Sequence, residues 1–147
     1  MSYNKIDINK HKPYKEGTHS SFVSKENNCV HTAKNPSGHY IRKFRIDGDV
    51  IPKQDTMTER CDCLLVNDTK KDSYYIELKG SDIEKAIDQI EKSILMIKES
   101  LPAYRVFRRI IFHSGTHQIQ RQKVVKWKTR YADTAIIKQR NHTDIIS

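Results

Sequence analysis

The chain has 147 residues and a formal net charge of +9, with 36% hydrophobic and 31% charged residues. That length suits one ordinary domain with a single buried core, and its apolar residues cluster in runs, unlike those of a disordered chain. No segment approaches the ~20 apolar residues of a membrane span. Residues 1–20 lack the apolar centre of a signal peptide. The three cysteines, Cys29, Cys61 and Cys63, are odd in number and have neither disulfide-framework nor zinc-site spacing. A cytoplasmic protein with free thiols is expected. The positive charge suits a polyanion such as nucleic acid better than a membrane surface, because no strongly amphipathic basic helix is evident.

Residues 1–20 read as a flexible basic arm, with Lys5, Lys10, Lys12 and Lys15 and breakers at Pro13 and Gly17. It is either a solvated tail or an arm that follows a phosphate backbone. Residues 21–147 read as one domain. Ser21 to Val30 carries weak signals for a short helix, and Asn35-Pro36-Ser37-Gly38 is a turn. Residues 39–46 alternate as a strand with a partly basic face, closed by Asp47-Gly48. Residues 61–66 and 74–79 read as two strands joined by a polar loop. Ser81, with Glu84 three positions on, forms a capping box. Ile83, Ala86, Ile87, Ile90, Ile94 and Ile97 then recur at helical spacing up to Leu101-Pro102. A strand over 104–113 ends at Ser114-Gly115, so His113 and His117 fall in a loop rather than on one helix face. Residues 118–131 are partly helical, and 134–139 form a last strand. The order predicts an α/β fold with a small mixed sheet.

The strands around Asp62 and Glu77 carry the chemistry. Alternation puts Glu77 and Lys79 on one face of their strand, and Ile76 and Leu78 on the apolar reverse. If Val66 pairs with Ser73, Asp62 falls opposite Glu77. Two facing carboxylates repel unless one takes a proton or a cation sits between them. Hard oxygen donors select Mg2+ or Mn2+ over zinc, with the backbone carbonyl of Leu78 as a further candidate ligand. Such an ion neutralises phosphate charge and lowers the pKa of water, and Lys79 on the same face would steady the transition state. The same residues would also serve as a plain cross-strand ion pair. Gly80 and the helix cap follow at once, however, so the strand ends where a site would open.

Arg60-Cys61-Asp62-Cys63-Leu64-Leu65 and Tyr75-Ile76-Glu77-Leu78-Lys79-Gly80 resemble the two halves of the PD-(D/E)XK nuclease motif. The likeness spans roughly residues 20–113. It implies a restriction endonuclease-like α-β-β-β-α-β core, metal binding by Asp62 and Glu77, a catalytic Lys79, and cleavage of phosphodiester bonds to leave a 5′-phosphate. Cys61 stands where the family has proline. For the acidic residue that members add on the first helix, Glu26 is the candidate and Glu59 the alternative. Gln89 lies where some members place a polar site residue, and Ser93 stands where recombination-type members have tyrosine.

Arg42, Lys43 and Arg45 on the first strand are candidate phosphate contacts. So are Lys123, Lys126 and Arg130 near the C-terminus, where Trp127 would either stack on a base or plug the core. The expected protein is therefore a magnesium-dependent endonuclease acting on DNA, working as a homodimer if it cuts both strands of a duplex. The alternatives are an RNA-processing nuclease and an inactive nucleic-acid- or protein-binding module of the same fold.

Overall fold

The computed structural model describes residues 4–147, and the fold is mixed α/β. In chain order the strands are β1 (Lys15–Gly17), β2 (Ser21–Glu26), β3 (Cys29–Lys34), β4 (Ile41–Arg45), β5 (Cys63–Asn67) and β6 (Asp72–Lys79). Helix α1 (Ile83–Ile97), β7 (Arg105–Phe112), α2 (Gln122–Arg130), β8 (Ala135–Gln139) and β9 (Asn141–Ile145) follow. A six-stranded sheet runs β1-β4-β5-β6-β7-β8, and a three-stranded sheet runs β2-β3-β9. The meander β4-β5-β6 is antiparallel, whereas β6, β7 and β8 are parallel, linked by helical crossovers.

Two apolar layers hold these sheets. The larger packs Phe44, Leu64, Val66, Tyr75 and Ile110 of the main sheet against the isoleucines of α1 and Val124 and Trp127 of α2. The smaller packs Ile41, Cys63, Leu65, Ile76, Leu78 and Ile111 against Phe22, Cys29 and Ala33 of the small sheet. Strand β6 is thus covered on both faces, and burial of each large aliphatic side chain contributes about 1.5–3 kcal/mol.

The helix expected over Ser21 to Val30 is instead the hairpin β2–β3. Its two-residue turn is Asn27-Asn28, both at positive φ (53° and 59°), the backbone of the tight turns that match strand twist. Residues 4–20 are mostly exposed but are tied to the domain at several points; the first three residues of the expected arm lie outside the described residues. Ile8 is fully buried, Ile6 N–H donates to the Met96 carbonyl (2.8 Å), and β1 pairs with β4. Helix α1 is capped by Asp82, one residue after the expected Ser81, with its carboxylate accepting from Lys85 N–H at 3.0 Å. All three cysteines are buried and free. Among the described residues, no helix is long and apolar enough to cross a membrane.

Candidate functional site

The β5–β6 ladder pairs Val66 with Ser73 and Cys63 with Ile76. One step further, Asp62 lies across from Glu77. Two crossed hydrogen bonds fix the pair: Asp62 N–H donates to Glu77 Oε1 (3.0 Å), and Leu78 N–H donates to Asp62 Oδ2 (2.7 Å). Behind Asp62, its carbonyl accepts from Ile46 N–H (2.9 Å) and Asp47 N–H (3.3 Å). Cys61 N–H donates to Ser93 Oγ on α1 at 2.8 Å. Ser93 therefore anchors the segment that carries Asp62, a role the sequence pattern left unassigned.

Lys79 shares a face with Glu77. Its Nζ lies 3.7 Å from Glu77 Oε2 and donates to Gln89 Oε1 at 2.7 Å. The ammonium is thus aimed by helix α1 while it faces the carboxylates. Gln118 ties the mouth of the site together: its Oε1 accepts from Ile83 N–H (2.9 Å), and its Nε2 donates to the Ser81 carbonyl (2.7 Å). Gly115 makes room for this. A Cβ there would lie 2.8 Å from the Ser81 carbonyl oxygen and 2.9 Å from Gln118 Nε2.

Glu77 is only 3% exposed. Burial pushes its carboxyl well up, and the neighbouring Asp62 pushes it further, against the pull of Lys79. Burial raises Asp62 to about 6, helped by Glu26 and Asp47 and opposed by the Leu78 N–H and Lys79. Without a cation, burial and mutual repulsion push both carboxyls toward their protonated forms.

Glu26, at the end of β2, lines a cleft of about 210 Å³ together with Asp62, Asp47, Lys43, Arg45 and Tyr14. Glu59 lines a different cleft, on the α1 side, with Gln89 and Lys85. Asp47 borders both clefts. It was legible in the sequence only as a turn residue; here Lys53 (3.0 Å) and Arg60 (3.0 Å) hold its carboxylate, and its own pKa is lowered by those two cations against the cost of burial. The Leu78 carbonyl, expected as a free ligand, already accepts from Asn27 Nδ2 at 2.8 Å and points to the β2–β3 turn.

Among the described residues, no three His, Cys, Asp or Glu side chains converge as a complete cage. Asp62 and Glu77 are hard oxygen donors, the kind that magnesium prefers, and that ion usually keeps several waters among its ligands.

The candidate phosphate contacts are dispersed. Arg42 pairs with Asp68 (2.8 Å) on the helix side of the main sheet, beside Phe44. Lys43 is buried and donates to the Val23 carbonyl (2.7 Å); Arg45 pairs with Asp49 (3.0 Å). Only these last two line the cleft that reaches Asp62. Lys123, Lys126, Trp127 and Arg130 line a separate depression between α1 and α2. Lys123 pairs with Asp88 at 2.6 Å. Trp127 is 6% exposed and donates to Glu91 Oε2 at 3.2 Å, so it is a core plug rather than an open stacking surface.

No protein-family model matches this chain, and neither a curated protein nor a solved structure matches it.

Proposed function

We propose that the chain is a magnesium-dependent phosphodiesterase, an endonuclease acting on DNA. The observation that carries this reading is the opposition of half-buried Asp62 and buried Glu77, with the Lys79 ammonium held 3.7 Å from Glu77. Holding two facing carboxylates largely out of water is costly, and a cation between them would offset that cost. A divalent ion bound to them would neutralise phosphate charge and make water a better nucleophile. The chain's own residues would do the rest. The Leu78 N–H and the Asp62 N–H hold the Asp62 and Glu77 carboxylates in place. Lys79, steered by Gln89, meets the charge that develops on the attacked phosphate.

The order β4, β5, β6, α1, β7 supports the finer reading as a restriction endonuclease-like core. The hairpin in place of the leading helix is a departure from it.

The test is incubation of the purified protein with plasmid, linear, branched and single-stranded DNA and with RNA, in Mg2+ or in EDTA. Cleavage is expected in Mg2+ alone. Glu77→Ala should abolish it, and Lys79→Ala should slow it by about 10²–10³, the usual cost of losing one transition-state donor. Cleavage that survives EDTA, or persists in both variants, refutes the mechanism. Cleavage of RNA alone would make the chain an RNA nuclease. Failure to cut any substrate would leave the binding module as the reading. Cutting of both duplex strands would predict a homodimer, read by sedimentation.

A further inference from the structure

We propose that the cleft running from Asp62 to Tyr14 is a subsite for one unpaired nucleobase, so that the substrate is single-stranded or locally unpaired nucleic acid. The inference rests on the reading of Asp62 as part of a phosphodiester site and adds the kind of strand that site receives.

The first argument is size and shape. At about 210 Å³ the cleft is smaller than the ~300–1,000 Å³ of ordinary ligand pockets and has room for one flat ring system rather than a stacked pair. Cys63 and Leu78, both buried, contribute an apolar floor. One wall is strand β2 and the other is strand β4, and Lys43 Nζ donates across the gap to the Val23 carbonyl at 2.7 Å.

The second argument is the stacking surface. Tyr14 and Val23 line the cleft while 55% and 41% exposed, among the few large apolar side chains left open to water. Tyr14 is pre-positioned: its N–H donates to the Lys43 carbonyl at 2.8 Å, and the Arg45 guanidinium lies 4.0 Å from its ring centroid. Arg45 is itself held by two hydrogen bonds to Asp49 (3.0 and 3.2 Å). An aromatic ring with a fixed cation on it is a platform on which a base can stack whatever its sequence.

The third argument is charge. Lys25, Lys43 and Arg45 are matched by Glu26, Asp47 and Asp62 around the cleft. A groove that tracks duplex phosphates would be basic throughout. A balanced cleft with Ser24, Lys25 and Glu26 on one wall offers donors and acceptors to a base edge instead. Tyr14 also borders a second cleft lined by His11 and Lys12, where the sugar-phosphate chain would leave the base. A base inside a duplex reaches such a cleft only by being flipped out, which costs unpairing energy that a single strand does not face.

The test measures binding by the Glu77→Gln protein, so that no strand is cut. The probes are a fluorescently labelled single-stranded DNA, the same sequence as RNA, the blunt duplex, and a single strand with its bases replaced by abasic sites. The intact DNA or RNA strand should bind at least about tenfold tighter than the duplex or the abasic strand, in keeping with base–aromatic stacking. Tyr14→Ala and, separately, Val23→Glu should each weaken single-strand binding at least about fivefold and leave duplex binding unchanged. Tyr14→Phe should restore it. Thermal melts establish that the variants fold. Equal affinity for abasic and intact strands, indifference to both variants, or no binding to any probe would overturn the inference. Tyr14-dependent binding by a protein that cuts nothing would refute the proposed activity alone. Cleavage with Tyr14-independent binding would refute the subsite alone.

Discussion

Replacing Asp62 by asparagine should stabilise the metal-free protein at neutral pH and leave it unchanged in acid. In the folded chain the Asp62 carboxyl is raised from 3.8 to about 6, mainly by burial. The folded state therefore binds more protons than the unfolded state between those two values. Stability falls as pH rises through that window and is lowest above it. A shift of about 2 pH units at ~1.4 kcal/mol each amounts to roughly 3 kcal/mol. Asparagine removes the charge but keeps an oxygen for the Leu78 N–H, which donates to Asp62 at 2.7 Å. Urea melts of both proteins at pH 4, 5, 6 and 7.5, in EDTA, read the effect of the carboxylate pair, because titrating groups other than Glu77, which Asp62 pushes up, contribute alike to both proteins. The variant should match the wild type at pH 4 and exceed it by roughly 3 kcal/mol at pH 7.5, or about 6–12 °C in Tm for a domain of this size. Added Mg2+ should raise the Tm of the wild type and not that of the variant. A difference independent of pH, or a variant less stable at pH 7.5, would refute the reasoning.

Asp144 joins the small sheet to the main one: Arg109 meets it with two hydrogen bonds (2.8 and 3.1 Å), and His31 with one of 2.8 Å. Arg109→Met should destabilise the fold by about 1–3 kcal/mol in urea melts, because it removes two charge-assisted hydrogen bonds from half-buried Asp144 and leaves His31 and His142 to hold it. Burial lowers the His31 pKa and the cations around it lower that of Asp144, so their contribution is full above the ordinary histidine pKa. It should be lost as pH falls, first through the histidine and then through the carboxylate range, in Asp62→Asn melts where the opposing Asp62 effect is gone. Gly115→Ala should cost about 1–3 kcal/mol, since φ is +98° and the new methyl meets the Ser81 carbonyl. Ser93→Ala should leave the buried Cys61 N–H unpaired, costing about 1–3 kcal/mol in melts, and should lower cleavage by loosening Asp62.

The legible parts of this chain were those where a period repeats. Six isoleucine and alanine positions at helical spacing place α1, and alternation around Val66 and Ser73 sets the hairpin register that brings Asp62 to Glu77. The hidden parts depend on partners distant in sequence. Residues 4–14 hold only two apolar anchors, Ile6 and Ile8, too few to form a pattern, and their burial is created by α1. Strand β9 has the sequence Asn-His-Thr-Asp-Ile and becomes a strand because β3 lies alongside. Asp47 looks like a turn residue because it is one; only the Asp62 carbonyl, which accepts its N–H, brings it beside the carboxylates. The β2–β3 hairpin was signalled by Asn27-Asn28, a pair suited to positive φ, between segments that alternate Phe22, Ser24 and Cys29, His31, Ala33 toward the interior.

That hairpin is also where the chain parts from the order its motif suggested, and the departure has a chemical consequence. A helix packed before β4 would present one curved face to the main sheet. A strand presents an edge, and the edge of β2 carries Val23, Ser24, Lys25 and Glu26 past Asp62 at a distance that leaves an open cleft rather than a packed seam. The turn of the same hairpin supplies Asn27, whose side chain holds the Leu78 carbonyl at 2.8 Å and so steadies the strand between Glu77 and Lys79. One element thus builds both the wall of the proposed base subsite and a brace for the strand that carries Glu77 and Lys79. Asn27→Gly, which tolerates the positive φ of the turn (53°) and removes only the side chain, separates the two roles. It should slow cleavage of every substrate alike, through the brace, while leaving the preference for unpaired strands intact, because no wall residue changes. A variant that lost the preference along with the rate would mean that the cleft and the carboxylate site are not independent parts.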